Sequence, residues 1–200
     1  RLLNKQSEFR MGFPKMRRRV VVLLLLTLAA TEPTATADGP LRAVIIGADT
    51  SHVVAFTDLI NSPDATGPLA RVQVVAAYPG GSPDIPSSRD RVPQFTEHLR
   101  SKGVAIVDSI EAAKSQADAF LLESVDGRVH LEQFRQIACG KPVFVDKPAA
   151  SSTAEFVEMM AIARETNTPF FSASGLRFCD EAQRVATAAS VGSVLGAATS

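Results

Sequence analysis

Asp146-Lys147-Pro148 sets a lysine between an acid and a proline, directly after a short apolar run. A lysine at the carboxyl end of a strand can donate to a substrate hydroxyl or carbonyl, and its pKa moves readily once it is desolvated. Asp146 would hold the ammonium and Pro148 would fix the backbone; the plainer alternative is a solvated strand–turn lysine. A second stretch, Gly47-Ala48-Asp49-Thr50-Ser51-His52, lies between a strand-like run and a helical stripe, the place of a dinucleotide fingerprint G-x-G-x-x-G. Gly47 matches its first glycine. Asp49 stands at the second, where bare backbone should face a pyrophosphate, and His52 at the third, where a small residue lets helix and strand pack closely. A carboxylate there repels a diphosphate by about a few kcal/mol. Helix N-terminal amides from Ser51 onward can still bind an anion. The alternative is simply a capped helix, with Thr50 or Ser51 as the cap.

The remaining polar residues carry less. The acid expected after the second strand, to hold an adenosine ribose, is absent; Tyr78-Pro79-Gly80-Gly81-Ser82 stands there, and Ser82 or Arg89 could meet a ribose 2′-phosphate instead. His52, His98 and His130 offer no metal-ligand spacing, and no metal site is expected. His98 reads as a solvated helix residue, while His130 fits cofactor contact and helix-start packing equally well. Asp49, Ser51 and His52 hold the residue types of a hydrolytic triad, but neighbours on one turn rarely converge that way. Cys139 and Cys179 read most simply as small apolar residues, although export could oxidise them.

The pattern around these residues alternates strand and helix. Strands are expected at Leu41–Ile46 and at residues 72–77, 104–107, Ala119–Leu122, 142–145 and 169–172. Helical stripes fall at Val53, Phe56 and Ile60; at Val92, Phe95 and Leu99; near Ile110–Lys114; at Leu131, Phe134 and Ala138; and at Phe156, Met159, Met160 and Ala163. The last opens on Ser152-Thr153-Ala154-Glu155, a capping-box sequence. Short apolar strands without alternation, separated by amphipathic helices, imply a parallel sheet covered on both faces. The expectation is a doubly wound, Rossmann-type α/β domain over residues 38–174. Ligands of such sheets lie beyond the carboxyl ends of the strands, which here are residues 47–52, 78–82, 108–109, 123–128, 146–148 and 172–177.

Composition sets the limits. With 46% hydrophobic and 21% charged residues in 200, the chain is too apolar for disorder, and its 21 basic and 21 acidic side chains cancel. Seven of the basic and two of the acidic residues fall in residues 1–37, so the remainder carries a net charge of −5, which disfavours nucleic acid. Arg17-Arg18-Arg19 leads into an apolar run over residues 20–30, too short for the roughly 20 residues of a membrane-spanning helix. With Ala35-Thr36-Ala37 behind it, the run reads as a secretory signal cut before Asp38, and no stable membrane span is expected. The chain opens on Arg1, so Met11 or Met16 is the expected start and residues 1–10 are read as upstream sequence.

From Leu41 to about Gly196 the sequence resembles the Gfo/Idh/MocA oxidoreductases, the glucose–fructose oxidoreductase and inositol dehydrogenase family. The resemblance rests on Arg42-Ala43-Val44-Ile45-Ile46-Gly47 and on Asp118-Ala119-Phe120-Leu121-Leu122 with His130 downstream. It continues in Gly140-Lys141-Pro142-Val143-Phe144-Val145-Asp146-Lys147-Pro148, where Asp146 replaces the family's glutamate, then in Arg177-Phe178 and in Val191-Gly192-Ser193-Val194-Leu195-Gly196. It implies a domain binding NAD or NADP, followed by a second α/β domain that carries a sugar-like substrate. Lys147 would be the catalytic lysine beside the nicotinamide, and Pro148 would follow a cis bond. Gly47, Asp49, Thr50, Ser51, His52, Ser82, Glu123, His130, Asp146, Lys147 and Pro148 would line the cofactor. The loop Glu123-Ser124-Val125-Asp126-Gly127-Arg128 departs from the family, placing two acids where small polar residues and Pro or Asn are usual.

Residues 175–200 read as the connection and only the start of that second domain. Two functions follow. One is an exported (periplasmic or extracellular) NAD(P)-dependent oxidoreductase on a sugar or polyol, recorded as a fragment that is inactive alone and could form a homo-oligomer through the missing domain. The other is a non-catalytic secreted Rossmann-type binding module with a degenerate dinucleotide site.

Overall fold

A computed structural model describes residues 39–174, with Asp180 and Arg184 beyond them. The expected signal segment, Arg177-Phe178, Cys179 and the stretch 191–196 lie outside the described residues. The elements run β1 (Leu41–Ile46), α1 (Ser51–Ile60), β2 (Val72–Tyr78), α2 (Pro86–Ser101), β3 (Ala105–Ile106), α3 (Ile110–Lys114), β4 (Ala119–Leu122), α4 (Gly127–Ile137), β5 (Val143–Val145), α5 (Thr153–Glu165) and β6 (Phe170–Ser172). A 3-10 turn, Leu69–Arg71, precedes β2.

The sheet is parallel throughout, with strand order β3-β2-β1-β4-β5-β6. This is the doubly wound order, reversing between β1 and β4. β1 shows why such strands lack alternation. Val44 and Ile46 pack into a core with Phe120, Phe134, Ile137 and Met159, while Ala43 and Ile45 pack into another with Val53, Val74 and Leu99. Successive side chains leave opposite faces of a strand, and here both faces are covered: α1 and α2 on one, α3, α4 and α5 on the other.

Side chains fix the helix starts. Thr50 accepts from the His52 amide, Ser109 from Ala112, Asp126 from Arg128 and Ser152 from Glu155. Glu155 does not close the expected box on Ser152; its carboxylate takes the amide and hydroxyl of Ser151. α2 begins at Pro86, ahead of the stripe that announces it, because proline at a first helical position is already set in helical φ. At the opposite end of the sheet from the strand carboxyl ends, Arg42 clamps Asp118 through two guanidinium nitrogens and its own amide. That holds the Asp118 carboxyl down at about 2.

Candidate functional site

Where the strand order reverses, the loops after β1 and β4 lead away in opposite senses and meet at their base. Gly47 holds φ +90°, and a Cβ on it would stand 2.3 Å from Ser124 Oγ and 2.6 Å from the Ser124 amide nitrogen. Its glycine is therefore required by the chain's own second loop as well as by the tight turn.

Asp49, at the second fingerprint position, does not project outward. It is 0% exposed; Oδ2 accepts from Ser88 Oγ at 2.6 Å and Oδ1 from the Val125 amide at 2.9 Å. The carboxylate thus ties the β1–α1 loop to α2 and to the β4–α4 loop. No acid stands in the first turn of α1, and Ser51 is exposed, so the amino end of this helix is open to an anion. The donor set fits a pyrophosphate at that point, with Asp49 an electrostatic cost behind it. The triad reading fails on geometry: Asp49 turns to Ser88 and Val125, and His52 to Asp146.

The next loop is held the same way. Ser82 is buried, its amide donating to Ser88 Oγ and its hydroxyl to Asp126 Oδ2. Asp126 also accepts from the Arg128 amide and guanidinium, which keep its carboxyl near 2. Ser82 therefore faces protein, and the Arg89 guanidinium lies on Asp90. His130 is buried, with Nε2 2.7 Å from the Ser124 carbonyl and Nδ1 3.2 Å from that of Ala149. It joins the loops after β4 and β5. His98 is not simply solvated; it pairs with Asp58, which Lys102 also reaches. Cys139 is a free, exposed thiol.

At the end of β5, Lys147 and Pro148 are exposed and joined by a cis peptide bond. Asp146 turns instead into the protein, its Oδ2 2.7 Å from His52 Nδ1. His52 stacks on Phe56 at 5.5 Å, so the histidine at the third fingerprint position packs sideways along α1. Glu123 extends the sheet by one residue, its amide donating to the Ile46 carbonyl, as the Asp146 amide does to Leu122. The Glu123 side chain is 0% exposed, and neither carboxyl oxygen has a hydrogen-bond partner. Burial, with the Asp146 carboxylate adding and Lys147 opposing, pushes this carboxyl up to about 9. His52, Glu123 and Asp146 thus converge from α1, β4 and β5 near Lys147. Ser88, Ser124 and Gln133, which complete the polar lining, carry no signal in the sequence.

Fold and site together define a Rossmann-type α/β domain with a cluster of polar side chains at its switch point. Among solved structures the same fold occurs in a dehydrogenase (MviM) from Clostridium difficile, at 20% identity and TM-score 0.55, over 72% of this chain and 43% of that one. It occurs in apo scyllo-inositol dehydrogenase from Lactobacillus casei (18%, TM-score 0.56, 77% and 43%). It occurs also in the WlbA dehydrogenase from Bordetella pertussis, solved with NADH and UDP-GlcNAcA (19%, TM-score 0.56, 73% and 40%). These are Gfo/Idh/MocA-type dehydrogenases, and the likeness the sequence suggested holds at the level of the fold. The chain spans 40–43% of the length of these three. No family model and no curated protein matches the sequence.

Proposed function

We propose that this chain is the dinucleotide-binding domain of a Gfo/Idh/MocA-like oxidoreductase that takes NAD or NADP and acts on a sugar- or polyol-like small molecule. The observation that carries the reading is the placement of exposed Lys147 at the carboxyl end of β5, on the same edge of the sheet as the amino end of α1, whose own first turn holds no acid. In this reading the α1 amino end holds the pyrophosphate, and the Gly47 turn brings backbone close to it. When bound, the dinucleotide supplies a nicotinamide carbon that exchanges hydride. Lys147 orients the substrate oxygen and donates a hydrogen bond to it. The substrate groups and oligomer contacts belong to a second domain, of which residues 175–200 are the start. Export through residues 1–37 completes the proposal.

The test is a titration of the full chain with NADH and, separately, NADPH, followed by nicotinamide fluorescence. Saturable enhancement with one of them is expected. A second reading, a non-catalytic binding module, is favoured by the carboxylate of Asp49 where backbone should face a phosphate. It gains if a folded chain binds neither nucleotide.

A further inference from the structure

We propose that His52, Glu123 and Asp146 form a binding site for a single divalent transition-metal ion of the zinc class. The inference goes beyond the nucleotide reading and does not depend on it. The three side chains each offer one donor atom, all within 4.8 Å of one another. They come from the first turn of α1 and the ends of β4 and β5, so no sequence spacing announces them. Donors in a tetrahedral zinc site lie about 3.3–3.5 Å apart. Closure of the cluster therefore asks the widest pair of donors to approach by at most about 1.5 Å through side-chain rotation, with the backbone fixed by the sheet bonds of Glu123 and Asp146.

The independent observation is Glu123. A buried carboxyl with both oxygens unpartnered is rare in a native interior, because each lost hydrogen bond costs on the order of 1–3 kcal/mol. Within 4.8 Å of it lie the donor atoms of His52 and Asp146. A cation there supplies what the protein lacks. Two carboxylates and an imidazole match zinc, manganese or ferrous iron by ligand type, the ion taking each ligand in its deprotonated form. The His52 side chain is 35% exposed, which leaves an entry path and a face for water. Lys147, whose charge acts against a cation there, is exposed.

The experiment uses the full chain stripped with chelator, titrated calorimetrically with Zn2+ and spectroscopically with Co2+, Mg2+ serving as a hard-ion control. One equivalent of Zn2+ is expected to bind and raise the melting temperature, and Co2+ should develop the absorption of a low-coordinate nitrogen–oxygen site. In Glu123→Leu, which keeps the volume of a buried side chain, affinity should fall about 100-fold or more, the upper end of what disturbed supporting residues already cost. His52→Ala, at a half-exposed position, should lose binding to a similar degree and covers a folding failure of the first variant. Absence of saturable Zn2+ and Co2+ binding by the folded chain overturns the proposal. So does binding that both variants retain, which would place the ion elsewhere.

Discussion

Asp49 is where the residue types and the geometry part. At the second fingerprint position its charge reads as an obstacle, yet the chain uses it as a strut between Ser88 and the Val125 amide. Asp49→Ala should destabilise the fold by about 1.5–3 kcal/mol in urea melts, the worth of hydrogen bonds to a buried charge. Glu123 behaves oppositely. Without metal, Glu123→Leu should gain about 1–3 kcal/mol, since it removes two unpartnered oxygens from the interior. Asp126 gives the acid limb. Its carboxyl ordinarily titrates near 3.8 and is held to about 2 in the fold, so its contribution is present above pH 3.8 and is lost as pH falls through 2. Asp126→Asn should keep much of the α4 cap while flattening the fall in stability between those values, read as melting temperature against pH. None of these three roles was legible, because each depends on a partner that only the sheet brings near. The place of Lys147, though not its role, was legible: its tripeptide sits at a strand end whatever the partners are.

Elements were easier to read than residues. β4 and α3 coincide with the expected Ala119–Leu122 and Ile110–Lys114, since a short apolar run and a serine-capped turn leave little choice. α2 was read short because its first turn is polar and its opening signal is a single proline, Pro86, with Pro93 inside the helix confusing the pattern. The site inherits this, for Ser88 lies on the unread turn. Two substitutions separate helix starts from the crevice. Ser152→Ala, far along the chain at the α5 cap, should cost about 1 kcal/mol and leave nucleotide binding unchanged. Gly47→Ala should cost about 2–4 kcal/mol, combining positive-φ strain with collision against Ser124. Thermal or urea unfolding distinguishes the two.

At the scale of the whole molecule, the doubly wound parallel sheet was legible in the strand–helix alternation, because short apolar strands separated by amphipathic helices need cover on both faces. What the fold does not specify is chemistry, which lives in the crevice between β1 and β4. Among the described residues no helix is long and apolar enough to cross a membrane. The chain spans 43% of the MviM dehydrogenase it resembles in fold, and turnover is part of the proposal alone. The claim that the carboxyl edge of this sheet holds a dinucleotide is tested most directly by amide hydrogen exchange on the full chain, with and without saturating NADH or NADPH. Slowed exchange confined to residues 47–52, 123–128 and 146–148 is the expected result. Unchanged exchange in those three loops, or protection arising elsewhere on the sheet, would contradict it.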